Sequence, residues 1–168
     1  GLSYDFVKVL DFGLVKVRRD DETQLTRDGG TTGTPAFMAP ELALGHQDVD
    51  GRTDLYELGC VAYWLLTGEL VFQAGSPLGM ALEHVQGKPV PPSERTEIEV
   101  PPELDALVLQ CLAKERENRP ASARELIRML DAVPLRKPWT NEDAEQWWTI
   151  HFPAQREVGA YESSAGTA

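Results

Sequence analysis

The strongest folding signal in this chain is an apolar stretch with helical spacing. Apolar residues recur every three or four positions from Thr53 onward, at Leu55, Leu58, Val61, Ala62, Leu65 and Leu66. Side chains spaced in this way share one side of an α-helix, and Gly68 stands just past the last of them as a stop signal. Gly59 weakens a helix, which predicts that another segment packs closely against it. We therefore expect a central helix over residues 53–67, with the rest of the chain packed around it.

Further helices are predicted where apolar spacing coincides with a start or stop signal. Ser76-Pro77 opens a helix that Gly87 closes. Residues 102–113 and 121–132 predict two more helices. Their inward side chains are predicted to be Leu104, Leu107, Val108, Cys111 and Leu112 in the first, and Ala123, Leu126, Ile127 and Leu130 in the second. The chain after residue 50 is therefore expected to be mainly helical.

The remaining segments show other patterns. Residues 4–10 are rich enough in β-branched and aromatic side chains to predict a short strand. Residues 18–34 are polar without any apolar period, which indicates a long loop, and the five prolines within 88–102 indicate an extended loop. In the tail, Thr140 stands three residues before Asp143, a pattern that predicts a helix start.

Composition and charge argue against several functional classes. The 168 residues carry a formal net charge of −11, whereas a protein that binds nucleic acid backbones requires clustered Lys and Arg. The longest apolar run, residues 58–66, is far shorter than the ~20 residues that cross a bilayer, so we expect neither a membrane-spanning segment nor a basic-then-apolar leader within these residues. Cys60 and Cys111 are widely separated, so we expect reduced core thiols in a cytoplasmic protein. Three histidines stand among polar residues and are predicted at the surface: His46, His84 and His151.

Four short motifs occur in order along the chain. Asp11-Phe12-Gly13 follows the predicted strand, and a carboxylate with a flexible glycine behind it suits a divalent cation held against phosphate. Residues 33–41 read Gly-Thr-Pro-Ala-Phe-Met-Ala-Pro-Glu, Asp54 and Gly59 stand five positions apart in the central helix, and Asn118-Arg119-Pro120 precedes the helix at 121–132. In this order the motifs resemble those of the C-terminal lobe of a protein kinase.

The resemblance implies a protein-kinase-like α+β fold, of which this chain supplies mainly α-helices. Residues 1–133 would form a partial kinase domain, a helical C-terminal lobe with a short N-terminal β segment. Residues 134–168 would form a tail with a Trp-rich helix. The residues around Ala-Pro-Glu are similar to those of the serine/threonine branch of the family. The sequence of residues 65–72, Leu-Leu-Thr-Gly-Glu-Leu-Val-Phe, is similar to the corresponding sequence of bacterial members.

The resemblance also implies an activity, transfer of the ATP γ-phosphoryl group to Ser or Thr hydroxyls of a protein substrate. Asp11 would hold Mg²⁺ in the ATP site, with Phe12 and Gly13 beside it. The family's Gly-rich loop, its strand Lys and its His-Arg-Asp loop are absent from the chain. No catalytic residue is therefore assigned here, because the catalytic Asp and the ATP-binding Lys would lie upstream, and the chain alone should be nearly inactive. The alternative is a catalytically dead helical module derived from a kinase lobe, which binds a partner.

Further roles follow from the resemblance alone. Thr31 and Thr32 lie where activating phosphorylation occurs in the family, and the alternative is that they are plain solvated threonines. Thr34 and Pro35 would face the substrate residue that follows the acceptor hydroxyl. The structural residues are a buried ion pair between Glu41 and Arg119, and Asp54, which would accept backbone N–H groups from the family's catalytic loop.

The tryptophans of the tail lie beyond the part of the chain that resembles a protein kinase. Trp139, Trp147 and Trp148 fit an amphipathic helix that docks back on the lobe, and they could alternatively form a partner-binding surface.

Overall fold

The computed structural model describes Asp5 and residues 35–152 of the chain. These residues form α-helices joined by turns and by short 3₁₀ helices at Pro35–Phe37, Pro92–Glu94 and Arg116–Asn118. The α-helices are α1 (Pro40–Ala43), α2 (Gly51–Thr67), α3 (Pro77–Gln86), α4 (Pro102–Cys111), α5 (Ala123–Asp131) and α6 (Asn141–His151). No strand occurs among the described residues, so the prediction of a mainly helical chain is confirmed for them.

The described residues fall into two compact units. The larger lies within Arg18–Pro134 and contains α1 to α5, whereas the smaller contains Asp5 and the segment that begins at Leu135, with α6. Of the strand predicted at residues 4–10, only Asp5 is described. It lies in a turn with φ 58°, so at this position the prediction of extended backbone is wrong.

The predicted central helix is confirmed as α2. It begins after Asp50, whose carboxylate accepts a hydrogen bond from the backbone N–H of Arg52 and caps the first turn. It ends at Gly68, which adopts the left-handed conformation (φ 71°) that glycine tolerates best. The start and the stop of this helix are thus determined by residues directly next to it.

Helices α2 and α4 pack against each other at Gly59. A Cβ atom added there would lie 2.7 Å from the Cβ of Cys111, closer than two carbon atoms can approach. The absence of a side chain therefore permits the contact, as the sequence predicts. The core around this contact consists mainly of Tyr56, Cys60, Tyr63, Val108 and Leu112.

The predicted orientation of two helices is partly wrong. On α2, Leu58, Val61 and Leu65 are exposed, with 48%, 38% and 70% of their surface accessible, and the side that contains Tyr56 and Cys60 is buried instead. On α5, Leu126 is buried, whereas three other residues predicted to face inward are exposed: Ala123, Ile127 and Leu130. The apolar stripes are real, but their spacing alone does not say which part of a stripe meets a partner.

The other predicted helices are confirmed, and side-chain caps explain most of their starts. Ser76 accepts a hydrogen bond from the backbone N–H of Gly79 at the start of α3, and Ser122 accepts one from Glu125 at the start of α5. At α6, Thr140 and Asp143 satisfy each other's backbone N–H groups in a capping box.

Both cysteines are free and buried, and burial raises the pKa of Cys60 to about 12 and that of Cys111 to about 11. The prediction of reduced core thiols is confirmed. In the part of the chain that the structure describes, no helix combines the length and the apolar character that crossing a membrane requires.

Candidate functional site

The candidate site is built around one short stretch of backbone. Residues 35–41, which we call the anchored segment, contain the 3₁₀ turn Pro35–Phe37 and the first residues of α1. The segment packs against α2 and α3. Polar contacts hold it near both ends, at Ala36 and at Glu41.

The Glu41 end is held by a buried ion pair. Arg119 donates from Nη1 to Glu41 Oε1 and from Nη2 to Oε2, each at 2.8 Å, in the two-pronged geometry that suits a carboxylate. The Arg119 side chain is fully buried and that of Glu41 is 4% exposed. Thr53 Oγ1 donates a third hydrogen bond to Glu41 Oε1 at 2.7 Å. The structure therefore brings together the two residues for which the family resemblance implies an ion pair.

All five N–H groups of Arg119 have acceptors. Besides the two bonds to Glu41, Arg119 donates to the backbone carbonyl oxygens of Arg52, Ala113 and Lys114 at 2.8–3.0 Å. Its guanidinium also lies 4.9 Å from the centre of the Tyr56 ring. A buried charge is stable only when it is paired and its hydrogen-bonding capacity is used. Arg119 meets both conditions and connects α1, the start of α2 and the turn after α4.

The ionisation of Glu41 follows from these contacts. Burial alone would raise the pKa of this carboxyl, but the hydrogen bonds from Arg119 and Thr53 and the positive charge of Arg119 outweigh it, and the pKa is lowered. Glu41 is therefore charged at neutral pH, as the ion pair requires.

The Ala36 end is held by His84, and here the surface position predicted for His84 is wrong. His84 is fully buried on α3. Its Nε2 lies 3.1 Å from the carbonyl oxygen of Ala36, and its Nδ1 lies 2.8 Å from the hydroxyl of Tyr56 on α2. The rings of Tyr56 and Phe72 pack edge-on against the imidazole. The other two histidines, His46 and His151, are exposed, as predicted.

His84 is also kept uncharged by its surroundings. Burial lowers its pKa most, the hydrogen bond to Ala36 acts in the opposite direction, and the nearby cation of Lys114 adds a small lowering, so that the pKa is about 4. The Lys114 ammonium donates to the backbone carbonyl of His84 at 2.7 Å and lies 4.5 Å from the centre of the Phe72 ring. Burial lowers the pKa of Lys114 in turn, to about 8.

Comparison with known families matches residues 2–130 to the protein kinase domain. The match spans the Asp-Phe-Gly motif, the anchored segment and the residue that pairs with Glu41. This chain belongs to the protein kinase family. Its mainly helical described part agrees with the helical C-terminal lobe that the sequence predicts.

This kinase chain is similar to serine/threonine-protein kinases of several bacteria. It is 41% identical to the serine/threonine-protein kinase PknB of Mycolicibacterium smegmatis over 158 residues, which are 92% of this chain and 25% of that protein. It is 44% identical to the serine/threonine-protein kinase pkn3 of Myxococcus xanthus over 132 residues, 77% of this chain and 24% of that protein. It is 42% identical to PknB of Mycobacterium tuberculosis over 144 residues, 83% and 23% of the two chains. The chain thus spans about a quarter of the length of these relatives.

Several predicted site residues of this kinase chain lie outside the described residues: Asp11, Phe12, Gly13, Thr31, Thr32 and Thr34. Pro35 opens the anchored segment, and Asp54 lies exposed in the first turn of α2. Among Asp5 and residues 35–152, no three His, Cys, Asp or Glu side chains form a group that could hold a metal ion.

The tail of the kinase chain has its own polar contact. The indole N–H groups of Trp139 and Trp148 donate to the two carboxylate oxygens of Asp5 at 2.7 Å and 2.6 Å. These hydrogen bonds lower the pKa of Asp5, and the bond from Trp148 has the larger effect. Trp147 stacks on His151 and remains 40% exposed. A partner surface on this helix stays a prediction.

Proposed function

We propose that this chain is the helical, acceptor-binding part of a serine/threonine protein kinase. The longer protein transfers the γ-phosphoryl group of ATP to Ser and Thr hydroxyls of a protein substrate. The observation that carries the proposal is the anchored segment. Its Glu41–Arg119 pair is buried and fully hydrogen-bonded within a chain that matches the protein kinase domain. The names of the bacterial relatives support the choice of Ser and Thr as acceptors.

Protein kinases use ATP with Mg²⁺, which neutralises charge on the phosphates during transfer. We assign the Mg²⁺ ligand to Asp11, because carboxylate oxygen is the donor that this ion prefers, and the adjoining ATP contact to Phe12 and Gly13. The catalytic Asp and the ATP-binding Lys are not among the 168 residues. Since transfer depends on positioning and charge stabilisation by all of these groups, this chain contributes binding and orientation but does not perform the transfer alone.

Acceptor recognition belongs to the start of the anchored segment. We assign contact with the acceptor peptide to Thr34 and Pro35, and activating phosphorylation to Thr31 or Thr32. The fixed backbone at Ala36 supports this proposal, because a segment that selects a peptide must present one conformation.

The exposed side of α2 supports a longer working protein. Leu58, Val61 and Leu65 lie on one side of the helix and remain accessible. A row of large apolar side chains on the central helix of a domain normally packs against another segment. We assign its cover to the part of the kinase that this chain does not contain. The two buried free thiols support a cytoplasmic location for this domain.

The test is phosphoryl transfer by the full-length protein, with peptides that differ only in having Ser, Thr or Tyr as the acceptor. We expect ATP- and Mg²⁺-dependent labelling of the Ser and Thr peptides, and a loss of at least about 100-fold in Asp11→Asn. Asp48→Asn, an exposed carboxylate near the start of α2, is the matched control and should retain activity. Labelling of the Tyr peptide alone, or full activity in Asp11→Asn, would contradict the proposal.

A second function, a kinase-derived binding module without catalysis, rests on the same exposed side of α2. In that case Leu58, Val61 and Leu65 would contact a separate partner protein. The two functions differ in what covers these residues, a segment of the same protein or another protein. Replacing Leu65 by Ser should therefore lower stability in a longer kinase, and should weaken partner binding without a loss of stability in a module.

A further inference from the structure

We infer that His84 is a positioning residue for acceptor recognition, and that its hydrogen bond to the Ala36 carbonyl fixes the backbone directly after Pro35. This inference rests on the proposed function, because it concerns the acceptor site of the same kinase. Ala36 and His84 are 48 positions apart in the sequence. The fold closes this separation because α3 packs directly on the 3₁₀ turn at Pro35–Phe37 and on α1.

The chemistry of the two contacts determines the protonation of the ring. A carbonyl oxygen can only accept, so Nε2 of His84 must carry the proton that is donated to Ala36. In a neutral imidazole the other nitrogen, Nδ1, is then an acceptor, and the Tyr56 hydroxyl donates to it. The result is a directed chain of hydrogen bonds from Tyr56 on α2, through His84 on α3, to the anchored segment.

This chain of hydrogen bonds ends at Ala36, where movement of the backbone would disturb acceptor binding. Ala36 follows Thr34 and Pro35 directly, and Glu41, five residues further on, is held by Arg119. Of the side chains that hold the two ends of the anchored segment, His84 is therefore the one nearest to the proposed acceptor-facing residues. Without it, the Ala36 carbonyl is held only by the 3₁₀ turn Pro35–Phe37, and part of the cost of ordering this backbone falls on acceptor binding.

Two substitutions separate this role from a general loss of stability. The amide of Asn reaches the place of Nδ1, so His84→Asn keeps an acceptor for Tyr56 and leaves the Ala36 carbonyl without a donor. The longer amide of Gln reaches the place of Nε2, so His84→Gln keeps the donor to Ala36 and leaves Tyr56 without its acceptor. Each variant loses one of the two hydrogen bonds, but only His84→Asn releases the anchored segment.

The experiment measures steady-state phosphoryl transfer by the full-length protein, with a Ser peptide as acceptor. We expect His84→Asn to raise the acceptor KM about 3- to 10-fold, the equivalent of one hydrogen bond, with the KM for ATP unchanged. In His84→Gln, the conservative variant, the acceptor KM should return to within about twofold of the wild type, although both variants melt at similarly lowered temperatures. His46→Asn, the same change at an exposed histidine, is the control. Equal KM values in the two His84 variants, or a parallel rise in the KM for ATP, would overturn the inference.

A second measurement requires no variant with altered stability. The ¹⁵N chemical shifts of the His84 ring in the full-length wild-type protein report which nitrogen carries the proton. Protonation at Nε2 is expected, and protonation at Nδ1 would overturn the inference even if the kinase is active. A wild-type protein without any transfer would overturn the proposed function as well, whereas an active wild type with indistinguishable variants would overturn only the role of His84.

Discussion

The two ends of the anchored segment are held by different chemistry. At Glu41 a buried carboxylate accepts two hydrogen bonds from the Arg119 guanidinium and one from a threonine hydroxyl, and the other three guanidinium N–H groups donate to backbone carbonyls. At Ala36 a single neutral imidazole donates one hydrogen bond to a backbone carbonyl. Loss of the ion pair leaves a buried charge without a partner, whereas loss of the His84 hydrogen bond leaves one backbone carbonyl without a donor. The difference indicates that the Glu41 end determines whether the segment is folded, and the Ala36 end determines how precisely it is held.

The largest expected effect is the loss of the guanidinium. Arg119→Ala should lower the free energy of unfolding by about 3–5 kcal/mol, because it leaves Glu41 charged and buried without its partner. Urea unfolding followed by circular dichroism measures this loss. Arg128→Ala, at an exposed position of α5, should change it by less than about 0.5 kcal/mol. Equal losses in the two variants would show that the ion pair does not hold the segment.

The second effect is a pH dependence that belongs to the Ala36 end. The pKa of His84 is lowered to about 4 in the folded chain, whereas an unperturbed histidine titrates near ~6.5. As the pH falls from about 7 to about 4, the unfolded chain binds a proton at His84 and the folded chain does not, so stability decreases through this window and the loss levels off below it. The wild type should lose on the order of 3 kcal/mol more than His84→Gln over this range. Urea midpoints at pH values of about 7, 5.5 and 4.5 measure the difference, and parallel curves for the two proteins would contradict it.

The smallest of the three effects concerns the hydroxyl that supports the ion pair. Thr53→Val keeps the shape of the side chain but removes the donor 2.7 Å from Glu41 Oε1. A lost hydrogen bond to a charged group predicts a decrease of about 1.5 kcal/mol in the free energy of unfolding. Thr149→Val, at an exposed position of α6, is the matched control. A decrease as large as that of Arg119→Ala would mean that the hydroxyl, and not the guanidinium, is the main partner of Glu41.

The positions of the helices could be predicted from the sequence because their signals are local. The Thr140–Asp143 capping box, the Ser76 cap and the stop at Gly68 each act within four residues of the helix end that they determine. Burial is different, because it depends on which segment packs against a helix. Leu58 and Leu65 satisfy the helical period as well as Leu55 does, yet only Leu55 is buried.

The candidate site shows the same division. The Glu41–Arg119 contact could be anticipated because both residues stand in recognisable motifs. His84 could not be placed from its neighbours, because its partners Ala36 and Tyr56 lie 48 and 28 positions away. The sequence did contain one signal, because His84 follows the apolar Met80 by four positions, a spacing that places both on the same side of a helix. In the structure both residues are buried on α3.

Our central claim is that this chain is the helical part of a larger working kinase. The intact mass of the protein in the cells that make it tests this claim most directly. The proposal predicts a mass well above 18.6 kDa, with a Gly-rich loop, a strand Lys and a His-Arg-Asp loop encoded upstream of residue 1. A mass of 18.6 kDa would contradict it, and the chain would then be a binding module without phosphoryl transfer of its own.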